Sequence, residues 1–168
     1  MASGNKTVII VVVCLVVVGV LFSGGLIVLS IAIPAVQKTI RQANETSAIM
    51  SLRTLNSMEG QYSATYPKRG FACSLATLGG KPGSGQPTQD AAQLINGDLA
   101  NGVKSGYTFN ITCGAKKTAD NQDQFESYTI TAVPNAAGKT GIRGYCTDEN
   151  AVIRFDPSGG TNCTELLQ

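Results

Sequence analysis

Residues 7–36 read TVIIVVVCLVVVGVLFSGGLIVLSIAIPAV, and residues 35–62 continue as AVQKTIRQANETSAIMSLRTLNSMEGQY. The first stretch holds 30 residues without one charged side chain. A bilayer core about 30 Å thick is crossed by about 20 apolar residues in a helix, so this run spans it with length to spare. Inside lipid the backbone must satisfy its own hydrogen bonds, which makes helix the conformation despite the many valines. A cleaved signal peptide has an apolar region of about 7–15 residues closed by a small-x-small site. Ala32-Ile33-Pro34 does not supply that site. Residues 1–36 therefore read as a short tail and a retained transmembrane helix, with the lipid bilayer as partner. Gly24-Gly25 lack side chains and Pro34 lacks an N–H, so the helix is expected to loosen or bend there. Gly19, Gly24 and Gly25, with the bend at Pro34, are the candidate positions for packing against other helices, because small residues let backbones approach closely. Cys14, among valines, reads as a small buried apolar residue.

The second stretch predicts that the helix runs on past Pro34. Ala48, Leu52, Leu55 and Tyr62 recur at spacings of four, three and seven, an apolar stripe that needs a partner surface. Ile40 extends the stripe, and Ile49 and Met58 widen it. Gln42, Glu45, Arg53 and Asn56 are expected to face water. Tyr66-Pro67-Lys68-Arg69-Gly70 ends the helix, since proline restricts the residue before it to extended geometry.

The partner surface comes later in the chain. Residues 107–112 (YTFNIT) and 128–133 (YTITAV) alternate apolar with polar, and residues 142–146 and 151–155 are shorter candidates. Period-two patterning with short separations implies an antiparallel sheet of roughly four strands. Asp148-Glu149-Asn150 reads as the turn between the last two strands, and Asp156-Pro157-Ser158-Gly159-Gly160 ends the fourth. Between helix and sheet, Lys81 to Pro87 is a loop by composition, and residues 90–99 are expected to form a short helix capped by Thr88. The fold class is thus α+β. A long N-terminal helix, membrane-spanning in its first half and amphipathic in its second, packs on an antiparallel sheet within an extracytoplasmic body, residues 37–168.

Composition limits the function. Charged residues are 14% of the 168, against about 25% in a typical soluble domain, and only Lys6 is charged in the first 37. From Arg41 onward 11 basic residues balance 11 acidic ones, so the net charge of +2 provides no nucleic-acid footprint. There is no His, which removes the Ser–His–Asp and Cys–His arrangements and the commonest metal ligand. The chain reads as a non-enzyme without a cofactor. The acid pairs Asp148-Glu149 and Asp120 with Asp123, and the basic run Gly114 to Lys117, read as solvated surface. Basic residues flank both ends of the apolar run, so charge alone does not orient it. Cysteine usage does: Cys73, Cys113, Cys146 and Cys163 make an even number in the body, which favours an oxidising compartment. Four cysteines permit three pairings. Cys146 with Cys163 closes a modest C-terminal loop and is favoured, which leaves Cys73 with Cys113 to tie the linking region to the sheet. Zinc is excluded by spacing, since no Cys-x2-Cys pair exists.

Ile31-Ala32-Ile33-Pro34, Ala43-Asn44-Glu45-Thr46-Ser47-Ala48 and Ser51-Leu52-Arg53-Thr54-Leu55-Asn56 resemble type IV pilins and pseudopilins. Ala64-Thr65-Tyr66-Pro67, Gly70-Phe71, Lys104-Ser105-Gly106-Tyr107 and Asp156-Pro157-Ser158-Gly159-Gly160 are similar to an acidobacterial-type pilin-like subgroup. The resemblance implies a long helix whose outer half packs on an antiparallel sheet, and a C-terminal disulfide loop is common in such proteins. It implies partners too: identical or related pilin-like subunits joined through the N-terminal helix. The chain departs from the family at two positions. Aligned on Pro34, Val12 stands where the cleavage glycine belongs and Val17 where the fifth-position glutamate belongs. Two functions are therefore expected from the sequence. One is a structural subunit of a type IV pilus or type II secretion-like filament. The other is a non-assembling anchored domain that reuses the fold for binding or sensing. In either case the protein is expected in a bacterial inner membrane, with its body in the periplasm or at the cell surface.

Overall fold

The computed structural model describes residues 3–80, 83, 85–119 and 122–167, with the backbone alone at 3–7, 18–35, 119 and 122. Among these residues there are three helices and eight strands: α1 (Ser3–Thr65), α2 (Leu75–Gly79), α3 (Gly97–Ala100), β1 (Val103–Lys104), β2 (Tyr107–Cys113), β3 (Lys116–Ala119), β4 (Gln122–Phe125), β5 (Tyr128–Pro134), β6 (Gly144–Asp148), β7 (Arg154–Asp156) and β8 (Glu165–Leu166). The chain divides into two compact units, Met1–Thr39 and Ile40–Gln168.

The first unit is helical from Ser3. Val8, Ile9, Ile10, Val11, Val12, Val13, Leu15, Val16 and Val17 are each at least half exposed. Cys14 is exposed and outside any disulfide, not buried as expected. Among the described residues no helix is long and apolar enough to cross a membrane. The uncharged run of residues 7–36 falls largely on residues 18–35, whose side chains lie outside the described residues. The environments of Gly19, Gly24, Gly25 and Pro34 lie outside them as well.

In the second unit α1 carries the expected stripe. Ala48, Leu52, Leu55 and Tyr62 are all at or within 1% of full burial. Each large side chain taken wholly from water contributes about 1.5–3 kcal/mol before chain entropy is counted. The helix stops at Thr65, two residues before Pro67, as its sequence dictates. Ile40, by contrast, is exposed and lies off the stripe.

The sheet is larger than the four strands expected. Six strands run in the order β1-β2-β5-β6-β7-β8, every neighbouring pair antiparallel. Phe109 lies opposite Ala132 and Ile111 opposite Ile130, so alternation puts Tyr107, Phe109, Ile111, Tyr128, Ile130, Ala132 and Tyr145 on one buried face. These residues and the α1 stripe form one cluster with Leu75, Leu78 and Leu99. The added strands, β1 and β8, are two-residue edge pairings that carry too little pattern to read. The hairpin β3–β4 was also unexpected, because Lys116–Ala119 and Gln122–Phe125 show no apolar alternation. Two exposed ion pairs cross it, Lys116–Asp123 and Lys117–Glu126. Asp120, the other half of the expected acid pair, lies outside the described residues, as do Lys81, Pro82 and Ser84 of the expected loop.

Two further boundaries differ. Residues 90–96 are not helical: Gln93 has φ 55°, and the N–H groups of Ala92 and Leu94 donate to the carbonyls of Thr77 and Leu78. Only α3 forms, capped by Asn96 rather than Thr88, with the Asn96 side chain accepting from Leu99 N–H. The candidate strand at 151–155 starts at Arg154, not Ala151. Ala151 is exposed, has φ 59° and donates to Asp148 O, so it completes the turn.

The expected strand at 142–146 is shifted to Gly144–Asp148 and buried on both faces. Tyr145 and Thr147 face the core. Cys146 points the other way and is covered by its bond to Cys163. A Cβ on Gly144 would run into the Gly160 carbonyl. The glycine that interrupts this strand's pattern is what lets the 156–163 segment lie against the sheet.

Candidate functional site

The polar side chains that matter lie at the seam between α1 and the sheet. Glu45 is three residues before Ala48 and so falls on the buried stripe; it was expected to face water and is only 7% exposed. Its Oε1 accepts the N–H groups of Ile142 (2.8 Å) and Arg143 (3.2 Å). Its Oε2 accepts Arg143 Nε (3.1 Å), Arg143 Nη2 (2.7 Å) and the Tyr145 hydroxyl (2.9 Å). Burial alone would raise the carboxyl's pKa, but the Ile142 amide, the Arg143 guanidinium and amide, and the Tyr145 hydroxyl outweigh it and hold the pKa below its ordinary value. The Tyr145 and Tyr107 phenols move the opposite way, upward, chiefly through burial and then through the negative charge of Glu45. Arg143 also lies over the rings of Tyr145 and Phe155, at 5.5 and 5.2 Å from their centroids.

The same turn of α1 reaches the 136–143 loop twice more. Arg41 Nη1 donates to Gly138 O (2.9 Å), and Asn44 Nδ2 donates to Thr140 O (2.8 Å). Tyr107 reaches the loop from below, its hydroxyl donating to Arg143 O at 2.9 Å. Farther along α1, Asn56 is not a water-facing residue. Its Nδ2 donates to Thr147 Oγ1 (2.7 Å) and its Oδ1 accepts from the Tyr128 hydroxyl (3.0 Å). Gln42 and Arg53 are exposed as expected.

The four body cysteines form Cys73–Cys113 and Cys146–Cys163, the favoured pairing, with Cα atoms 5.3 and 5.9 Å apart. The first bond ties the segment after α1 to the end of β2. The second holds the C-terminal segment on β6, where Asp156 organises the turn by accepting from Ser158 N–H, Ser158 Oγ and Asn162 N–H. An open groove of ≈ 300 Å³ on this outer face is lined by Thr129, Asp148, Arg154 and Asn162. Arg154 and Asp148 face each other across it at 3.5 Å. No cluster of three metal-ligating side chains occurs among the described residues.

The arrangement positions a helix on a sheet. Sequence reading assigned Glu45 and Asn56 to water by side-chain type. Their spacing from Ala48 and Leu52 was the signal that places both at the seam. Glu59, four residues after Leu55 and three before Tyr62, carried the same signal. In comparisons with known proteins, the chain matches no family model, no curated protein and no solved structure.

Proposed function

We propose that the chain is a membrane-anchored, pilin-like structural subunit, of a type IV pilus or a type II secretion-like filament. One observation carries the reading. Over residues 8–17, α1 presents large apolar side chains at every position but Cys14, with no polar side to turn toward water. A helix apolar all round is stable in lipid or among other such helices. In the second unit the same helix is the spine of an antiparallel sheet, and two disulfides suit an oxidising compartment outside the cytoplasm. The resemblance of the Ile31–Pro34 and Ser51–Asn56 stretches to pilins supports assembly through the helix. Val17 favours a second reading, the non-assembling anchored domain, because a valine cannot supply the charged partner of a neighbouring subunit's amino group.

Electron microscopy of sheared cell-surface material, labelled with an antibody against the body, separates the two. Labelled fibres are expected. Label confined to the membrane fraction would replace the filament with the anchored domain. Label in the soluble cytosolic fraction would end both.

A further inference from the structure

Glu59 lies on the buried stripe of α1 and is fully enclosed, at 0% exposure. Its Oε2 accepts the Ala72 N–H at 2.8 Å, and its Oε1 has no hydrogen-bond partner. No ion pair reaches it among the described residues. A carboxylate removed from water with a single donor is far more costly than the neutral acid. Burial accordingly pushes this carboxyl up to about 8, against the opposing pull of the Ala72 amide.

Ala72 belongs to a short strap. On one side the strap pairs with β4, through Phe71 N–H to Phe125 O and Phe125 N–H to Arg69 O, both 3.0 Å. One residue further, Cys73 is bonded to Cys113 of β2. The Ala72 N–H is tied to α1 through Glu59, while the Ala72 methyl packs in the core cluster that includes Leu55 and Tyr62. Two titratable groups face Glu59, Tyr62 from α1 and Tyr128 from β5. Their hydroxyls donate to Gln89 O and Asn56 Oδ1, and burial raises both pKa values, so neither ionises in the range where Glu59 does. Arg69, Asp90, Asp148 and Glu149 act on these tyrosines.

We propose that Glu59 is a neutral acid held in the core and that the cost of keeping its ionised form away from water opens the strap from α1, making that hold a pH-sensitive latch. The direction follows from linkage. Closed, the acid ionises at about 8; opened to water, it returns to its ordinary value of 4.5. Opening therefore becomes easier as pH rises between those values, by up to about tenfold per pH unit, and levels off above about 8, where both states are ionised.

Hydrogen exchange of the full chain in detergent micelles tests this between pH 5 and 9, with the intrinsic base-catalysed rate divided out. Protection of the Ala72 amide is expected to fall steadily up to about pH 8 and then flatten. The amides of β5 should stay better protected throughout, and the slope should vanish in Glu59→Gln. If that variant does not fold, the ¹³C-labelled carboxyl of Glu59 in the unaltered chain gives the midpoint directly. A flat Ala72 profile, a slope that survives in Glu59→Gln, or a carboxyl midpoint near 4.5 would each overturn the latch.

Discussion

Glu45→Gln tests how strongly the seam holds α1. The carboxylate accepts five hydrogen bonds, from Ile142 N–H, Arg143 N–H, Arg143 Nε, Arg143 Nη2 and Tyr145 Oη. An amide offers one oxygen to those five donors and turns its own N–H groups against the rest. Breaking a fully buried pair by altering one partner costs about 3–5 kcal/mol. The Arg143 side chain is 37% exposed, so its charge regains some water and the expected loss is nearer about 2–3 kcal/mol. Urea unfolding of the full chain in micelles, followed by near-ultraviolet dichroism of the tyrosines, measures it. A cycle with Arg143→Gln should give a coupling energy above about 1 kcal/mol. The pH dependence has a definite sign. The pKa of Glu45 is lowered in the folded chain, so its contribution is fully present above the ordinary value of 4.5 and is lost as pH falls through the folded value. The unaltered chain should therefore lose stability on acidification below that point more steeply than Glu45→Gln. A variant within about 0.5 kcal/mol of the unaltered chain at pH 7, with no coupling to Arg143, would refute the reasoning.

Leu52→Ala should cost about 2–5 kcal/mol in the same unfolding assay, since Leu52 is wholly enclosed between α1 and the sheet; a loss under about 1 kcal/mol would mean the stripe is not the core. Replacing both members of a disulfide by serine should cost about 3 kcal/mol for Cys146–Cys163 and about 4 kcal/mol for Cys73–Cys113. Loop-closure entropy grows with the separations of 17 and 40 residues; the reverse order would show that native contacts, not loop closure, dominate.

The parts of the fold legible in the sequence were those with an unbroken period. Ala48, Leu52, Leu55 and Tyr62 announced the helical stripe, and residues 107–111 and 128–132 announced the paired strands β2 and β5. What escaped has identifiable causes. β1 and β8 are two residues each, shorter than any period. Gly144 broke the alternation of β6 because the Gly160 carbonyl lies where its side chain would be. The helix expected over residues 90–99 failed because the N–H groups of Ala92 and Leu94 bond to carbonyls on α2, a partner the local sequence does not reveal. At the seam, residue type overrode position. Glu45 and Asn56 occupy helical positions that spacing assigns to the interior, yet charge or polarity argued for water; Glu59 occupies another such position.

Glu45 and Glu59 are fourteen residues apart, about four turns of α1, and so lie on nearly the same line of the helix. The sheet side treats them oppositely. It supplies five hydrogen bonds to the first and one to the second, so the first is held as an anion and the second as a neutral acid. This asymmetry bears on specificity more than on stability. A slide of α1 by one turn, about 5.4 Å, would set Ala48 in the place of Leu52 and leave a cavity, so the apolar stripe itself resists it. Slid by a turn in either direction, Glu45 would leave the Ile142–Tyr145 donors and Glu59 would lose the Ala72 N–H. Both errors carry the desolvation cost that the observed register avoids. Glu45 and Glu59, with Asn44 on Thr140 and Asn56 on Thr147 and Tyr128, thus add to the apolar stripe directional contacts that are satisfied in the observed register.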